Sequence, residues 1–101
     1  MPSARAALLI VDPRRARADR RQILQRLHGL TAAEASLAEL LCDGLTLAEA
    51  AAQLGKRIST MRTHLSNLMN KTGTKRQGQL IAVLEREFAL FDLLSEPREE
   101  R

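Results

Sequence analysis

Residues 44–73 read GLTLAEAAAQLGKRISTMRTHLSNLMNKTG, and the glycines at 55 and 73 divide that run into a short helical pattern and a longer one. Thr46 followed by Glu49 is a capping box, in which the hydroxyl and the carboxylate each accept from the other residue's backbone N–H. Leu47, Ala50, Ala51 and Leu54 then share one face of a helix that Gly55 ends. In the longer pattern, a helix over about residues 58–71, the apolar face is Ile58, Met61, Leu65, Leu68 and Met69. Arg62, Thr63, Ser66, Asn67 and Asn70 point the other way. One side packs, and the other is free to read something. A short helix, a turn and a polar-faced helix have the layout of a helix-turn-helix reader. At about 1.5 Å per residue the longer helix spans roughly 20 Å, ample for a major groove about 12 Å wide.

Upstream, Thr31 and Glu34 repeat the capping box, and Ala33, Leu37, Leu40 and Leu41 fall at helical spacing until Gly44, which predicts a helix over 32–43. Residues 14–28 carry Arg14, Arg15, Arg17, Arg20, Arg21 and Arg26 around a thin stripe of Ile23, Leu24 and Leu27, a helix whose basic face is expected to be solvated. Ala6 to Val11, stopped by Asp12-Pro13, reads as a short strand. A lone strand must pair with another copy or with an upstream domain, or else fray. Downstream of the break at Thr72-Gly73-Thr74, a helix is expected from Lys75 or Arg76 to Leu94. Leu80, Leu84, Phe88 and Phe91 form its stripe, and Ile81, Val83 and Leu90 widen it. Two uses of that width stand side by side: a self-association surface of Leu80, Ile81, Leu84 and Phe88, or a seat for the arginine-rich helix. The expected class is therefore all-α, preceded by the short strand. Its parts are a linker-like segment at 1–29, a helical domain at 30–94 and a charged, disordered tail at 95–101.

The chain has 101 residues, 45% hydrophobic and 28% charged, with a net charge of +4. That suits one small soluble domain with a modest core. Cys42 is the only cysteine, so no internal disulfide forms, and with His28 and His64 it falls short of a structural zinc set. A reducing cytoplasm fits this usage. No run approaches a membrane span of roughly 20 residues. Neither a Walker loop nor a dinucleotide fingerprint occurs, and the carboxylates at helix starts are explained by capping. An enzyme, a cofactor and a small-molecule ligand are therefore not expected. Charge points elsewhere: no carboxylate lies between Glu49 and Glu85, while Lys56, Arg57, Arg62, Lys71, Lys75 and Arg76 do. Such a stretch attracts a polyanion. Duplex DNA is favoured over RNA, because single-strand readers stack bases on exposed aromatics and this chain has only Phe88 and Phe91, both on an apolar stripe.

Leu30-Thr31-Ala32-Ala33-Glu34, then Gly44 to Ala51, then Ser59-Thr60-Met61-Arg62-Thr63-His64-Leu65, then Lys71-Thr72-Gly73 together resemble the LuxR-type helix-turn-helix domain of bacterial transcription regulators, over about residues 30–90. The segment from Leu8 to Pro13 with the helix after it is similar to the connection to an upstream sensory domain in some multidomain members. The resemblance implies a four-helix module whose third helix enters the major groove and whose fourth pairs two subunits on DNA. It places Arg62, Thr63, Ser66 and Asn67 toward the bases and Thr60, His64, Lys71 and Arg76 toward the backbone, with Lys56, Arg57, Ser59 and Lys75 beside them. It also implies a cytoplasmic homodimeric regulator, for which RNA polymerase is a further partner to expect. Three positions depart from the family pattern. Lys56 and Arg57 replace an apolar residue and a Ser or Thr cap, which moves the expected helix start toward Ser59. Met61 replaces valine, and Ser66 stands where a basic side chain is frequent. These departures keep a second reading open, a helical protein-interaction module that has lost DNA binding and modulates a related regulator.

Overall fold

A computed structural model describes the backbone of residues 13–95 and the side chains of 19–94. The strand expected at Ala6 to Val11 and residues 96–101 of the tail expected to be disordered lie outside the described residues, while Ser95, expected in that tail, is helical. Among the described residues five helices follow one another: α1 Pro13–His28, α2 Ala32–Cys42, α3 Leu47–Leu54, α4 Ile58–Thr72 and α5 Gln77–Ser95. The described residues contain no strand, so the architecture there is all-α.

The helix starts are encoded locally. Thr31 Oγ1 accepts from the Glu34 N–H at 3.1 Å and Glu34 Oε1 accepts from the Thr31 N–H at 3.0 Å. Thr46 and Glu49 make the same pair of bonds at 3.1 and 2.8 Å. Between α3 and α4 the chain turns on Gly55, whose φ of +67° lies in the left-handed region that only glycine enters cheaply. The Lys56 N–H then reaches back to the Ala51 carbonyl at 2.9 Å. Because that one residue reverses the chain, Arg57 is already the extended N-cap and α4 begins at Ile58, not at the later start its missing cap suggested. At the other end α5 starts at Gln77, slightly after the expected Lys75 or Arg76.

α2 is the central element and packs against each of the other four helices. Its Ala35, Leu37, Ala38 and Leu41 meet Leu24 of α1, Ala50 and Ala51 of α3, Met61 and Leu68 of α4, and Leu80, Leu84 and Phe88 of α5. Each large apolar side chain removed from water here contributes about 1.5–3 kcal/mol. This core corrects one expectation. Leu80 and Leu84 are 0% exposed and Phe88 is buried with them, so they fill the interior of a single chain and are not a free association surface. Ile81 packs half-buried against the same core.

α1 is held partly by its cations. Arg20 pairs with Asp92 and lies 5.3 Å from the centre of the Phe88 ring. Arg21 pairs with Glu39 at 2.7 Å, and His28 Nε2 meets Glu87 Oε1 at 2.7 Å. At these positions the face expected to be solvated is turned toward carboxylates of α2 and α5. Long guanidinium stems cover apolar surface while their heads find charge, which is how an arginine-rich helix docks.

Cys42, at the end of α2, is half-buried, and burial pushes its thiol up to about 12, with the Glu85 and Asp43 carboxylates adding to the rise. Only the thiolate attacks electrophiles, so at pH 8 alkylation of the native chain is expected to run on the order of a thousandfold slower than in denaturant. Equal rates in the two conditions would contradict the burial.

Candidate nucleic-acid interface

The polar side of α4 is uncovered. Arg62, Thr63, Ser66 and Asn67 are all exposed, while Met61 and Leu68 on the far side are buried and Leu65 and Met69 half-buried. The period of about 3.6 residues separates the two sets. Thr63 donates its hydroxyl to the Ser59 carbonyl at 3.3 Å, which leaves its methyl as the distinctive group it can offer.

The two ends of α4 are built differently. At the start, Arg57 makes no side-chain cap hydrogen bond, whereas α2 and α3 each have a full capping box. The first-turn N–H groups of a helix carry partial positive charge and favour an anion when no side chain occupies them. Exposed Lys56, Arg57 and Ser59 surround that end, with Thr60 half-buried next to them. At the finish, Gly73 turns left-handed at a φ of +72° and the Thr74 N–H bonds the Met69 carbonyl at 2.9 Å. Lys75 and Arg76 follow, both exposed, and the Lys75 N–H donates to Gln79 Oε1 at 3.1 Å. Five cations, Lys56, Arg57, Arg62, Lys75 and Arg76, thus occur on or beside one helix, and none has a carboxylate partner among the described residues. The acidic residues Asp92, Glu39 and Glu87 are instead engaged by α1. His64 is half-buried.

Lys71 differs from its neighbours. Its Nζ lies 2.7 Å from Glu34 Oε1, in an ion pair whose side chains are 34% and 3% exposed respectively. Burial acts to raise the Glu34 pKa, but the hydrogen bonds from Lys71 and from the Thr31 N–H, together with the ammonium charge, outweigh it and hold the carboxyl below its usual range. Lys71, expected on the nucleic-acid backbone, here ties the end of α4 to the start of α2. One exposed residue was left out of the expected base-facing set. Asn70 lies one turn beyond Ser66, in line with Ser59, Thr63 and Ser66, and the 3.6-residue period is the signal that places it there.

Elsewhere an open recess of about 440 Å³ between α1, α2 and α3 is lined by Arg21, Ser36, Glu39, Asp43 and Gln53, among others. No group of His, Cys, Asp and Glu side chains among the described residues is arranged to hold a metal. No described helix is long and apolar enough to cross a membrane. The chain matches no family model, no curated protein and no solved structure.

Proposed function

We propose that this chain is a transcription regulator of the cytoplasm that binds double-stranded DNA with the exposed face of α4 in the major groove, and that it acts as a homodimer. The observation that carries the reading is that five cations, on the uncovered polar face of α4 and beside both its ends, have no carboxylate partner among the described residues. Positive charge spread along one exposed helix and both its flanks attracts a polyanion. Arg62 can take guanine O6 and N7 bidentately, and the Thr63 methyl can meet a thymine methyl. Ser66, Asn67 and Asn70 supply further donors and acceptors along the same line. Lys56, Arg57, Lys75 and Arg76 serve the phosphates, with Ser59, Thr60, His64 and the first-turn N–H groups of α4 nearby. The resemblance to LuxR-type domains supports the same assignment, and RNA polymerase would be a further partner of such a regulator.

Selection of bound duplexes from a random pool is the primary test, since a recovered palindrome reports specificity and symmetry together. Arg62→Ala is expected to cost about 1–3 kcal/mol on the selected site and to relax preference at one base pair. An unchanged titration for that variant on every sequence would remove Arg62 from the readers. A second reading, a protein-interaction module, is favoured by the engagement of Lys71 with Glu34, which takes one cation from the expected contact set, and by Ser66, which stands where the resembled family often has a basic side chain. Gel shifts with random duplex at low salt separate the two, because an interaction module shows no more than weak retention.

A further inference from the structure

We infer that Asn70, at the far end of α4, determines specificity by selecting an adenine about three or four base pairs from the guanine taken by Arg62. The inference rests on the DNA reading above and deepens it, since it names two bases of the site and the distance between them.

Four observations carry it. First, Asn70 is aimed most directly away from the core. At 3.6 residues per turn it stands half a turn from Met61 and nearly so from Leu68, which are 1% and 0% exposed. Arg62 and Asn67 flank this outward line, one on each side. Second, the line carries only short side chains. Ser59, Thr63 and Ser66 precede Asn70 along it, all exposed, and none is long enough to hold the helix off the floor of a groove. A helix seated that deeply brings a short amide at its end within reach of base edges. Third, the far end of α4 is anchored more firmly than its start. The Thr72 hydroxyl donates to the Leu68 carbonyl at 2.9 Å and lies 3.0 Å from the Thr74 hydroxyl. The Thr74 N–H bonds the Met69 carbonyl, and Lys71 reaches Glu34 of α2, whereas Arg57 at the start makes no side-chain cap bond. A fixed backbone holds a short side chain in one place, as reading a base edge requires. Fourth, the fold makes no use of the amide. The Asn70 side chain is exposed and has no hydrogen-bond partner among the described residues, and asparagine is one of the weaker helix formers. A residue that breaks a local preference without return inside the chain marks a functional position.

The chemistry of the carboxamide names the base. Its oxygen accepts from adenine N6–H while its nitrogen donates to N7, and no other base presents that donor and acceptor side by side in the major groove. From Arg62 to Asn70 the helix rises about 12 Å, or about three to four steps of roughly 3.4 Å along the duplex.

The test is selection of bound duplexes from a random pool, by the full-length parent chain and by Asn70→Ala. The parent is expected to enrich a guanine and an adenine about three or four pairs apart, and Asn70→Ala to keep the guanine and lose the adenine. On the parent's selected duplex Asn70→Ala should bind about ten- to a hundredfold more weakly. Replacing that adenine by 7-deazaadenine removes the N7 acceptor, which should weaken the parent about fivefold and leave Asn70→Ala unaffected. Thermal unfolding checks the fold, and alanine in an exposed helix is expected to keep or raise the melting temperature. Equal weakening of Asn70→Ala on every duplex would mean a structural or phosphate role and overturn the inference. So would an adenine preference that is lost in Asn67→Ala and kept in Asn70→Ala. A selected site that Asn70→Ala leaves unchanged overturns this inference alone, whereas a parent chain that enriches no duplex overturns it together with the DNA reading.

Discussion

Raising the salt concentration from 50 to 200 mM is expected to weaken the binding of duplex DNA about ten-thousandfold. The size of the effect follows from the number of phosphates neutralised. Lys56, Arg57, Lys75 and Arg76 are exposed and have no carboxylate partner among the described residues, Arg62 is assigned to a base, and Lys71 is engaged with Glu34. That leaves about four phosphate contacts per subunit, each contributing about −0.9 to the log-log salt slope, so a bound dimer should show a slope near −7. Fluorescence anisotropy of a labelled duplex measures it directly. A slope near −4 would mean that one subunit binds alone, and the loss over the same salt range would shrink to roughly a hundredfold. A flat titration would retire the DNA reading and favour the interaction module. Lys56→Ala should reduce the dimer's slope by about 2 without changing which sequence is preferred, because phosphate contacts position the protein and do not choose its site.

The parts of the fold that were legible in the sequence are those set by neighbours in the chain. Thr31 with Glu34 and Thr46 with Glu49 announced the starts of α2 and α3 because a capping box is closed within four residues. Gly55 and Gly73 announced turns because the left-handed conformation is a property of a single residue. The bare face of α4 was legible for the same reason, since period alone separates Arg62, Thr63, Ser66 and Asn70 from Met61 and Leu68. What was not legible depends on residues far apart. α5 carries apolar side chains on more than one side, and only the packing of α1 and α2 decides that Leu80, Leu84 and Phe88 turn inward while Leu90 and Leu93 stay out. Arg20 and Arg21 of α1 looked solvated because their carboxylate partners, Asp92 and Glu39, lie on other helices. Lys71 and Glu34 stand 37 positions apart, and each had a sufficient local explanation, a basic C-terminal turn and a capping box.

That pair gives the largest expected effect on stability. Lys71→Met should lower the unfolding free energy at pH 7 by about 2–3 kcal/mol, below the roughly 3–5 kcal/mol of a fully buried pair because the lysine is partly solvated. For a domain of this size the melting temperature should fall by about 10–20 °C. The cost arises from Glu34, whose buried carboxylate loses its ammonium and keeps only the hydrogen bonds from Thr31. The pH dependence identifies the cause. The folded-state pKa of Glu34 is lowered, so its contribution is fully present above the usual carboxylate value of 4.5 and is lost as pH falls through the lower folded value. In Lys71→Met burial is no longer outweighed, and Glu34 protonates at a higher pH than in the parent. The gap in stability between the two chains should therefore narrow on acidification. In a Glu34→Gln background no buried charge is stranded, so Lys71→Met should cost little, and the double-mutant cycle should return most of the single-variant loss as coupling. A phosphate contact at Lys71 predicts the opposite pattern: an unchanged melting temperature, no coupling to Glu34, and a shallower salt slope for DNA. Thermal unfolding and anisotropy on the same four chains decide between a strut inside the fold and a contact outside it.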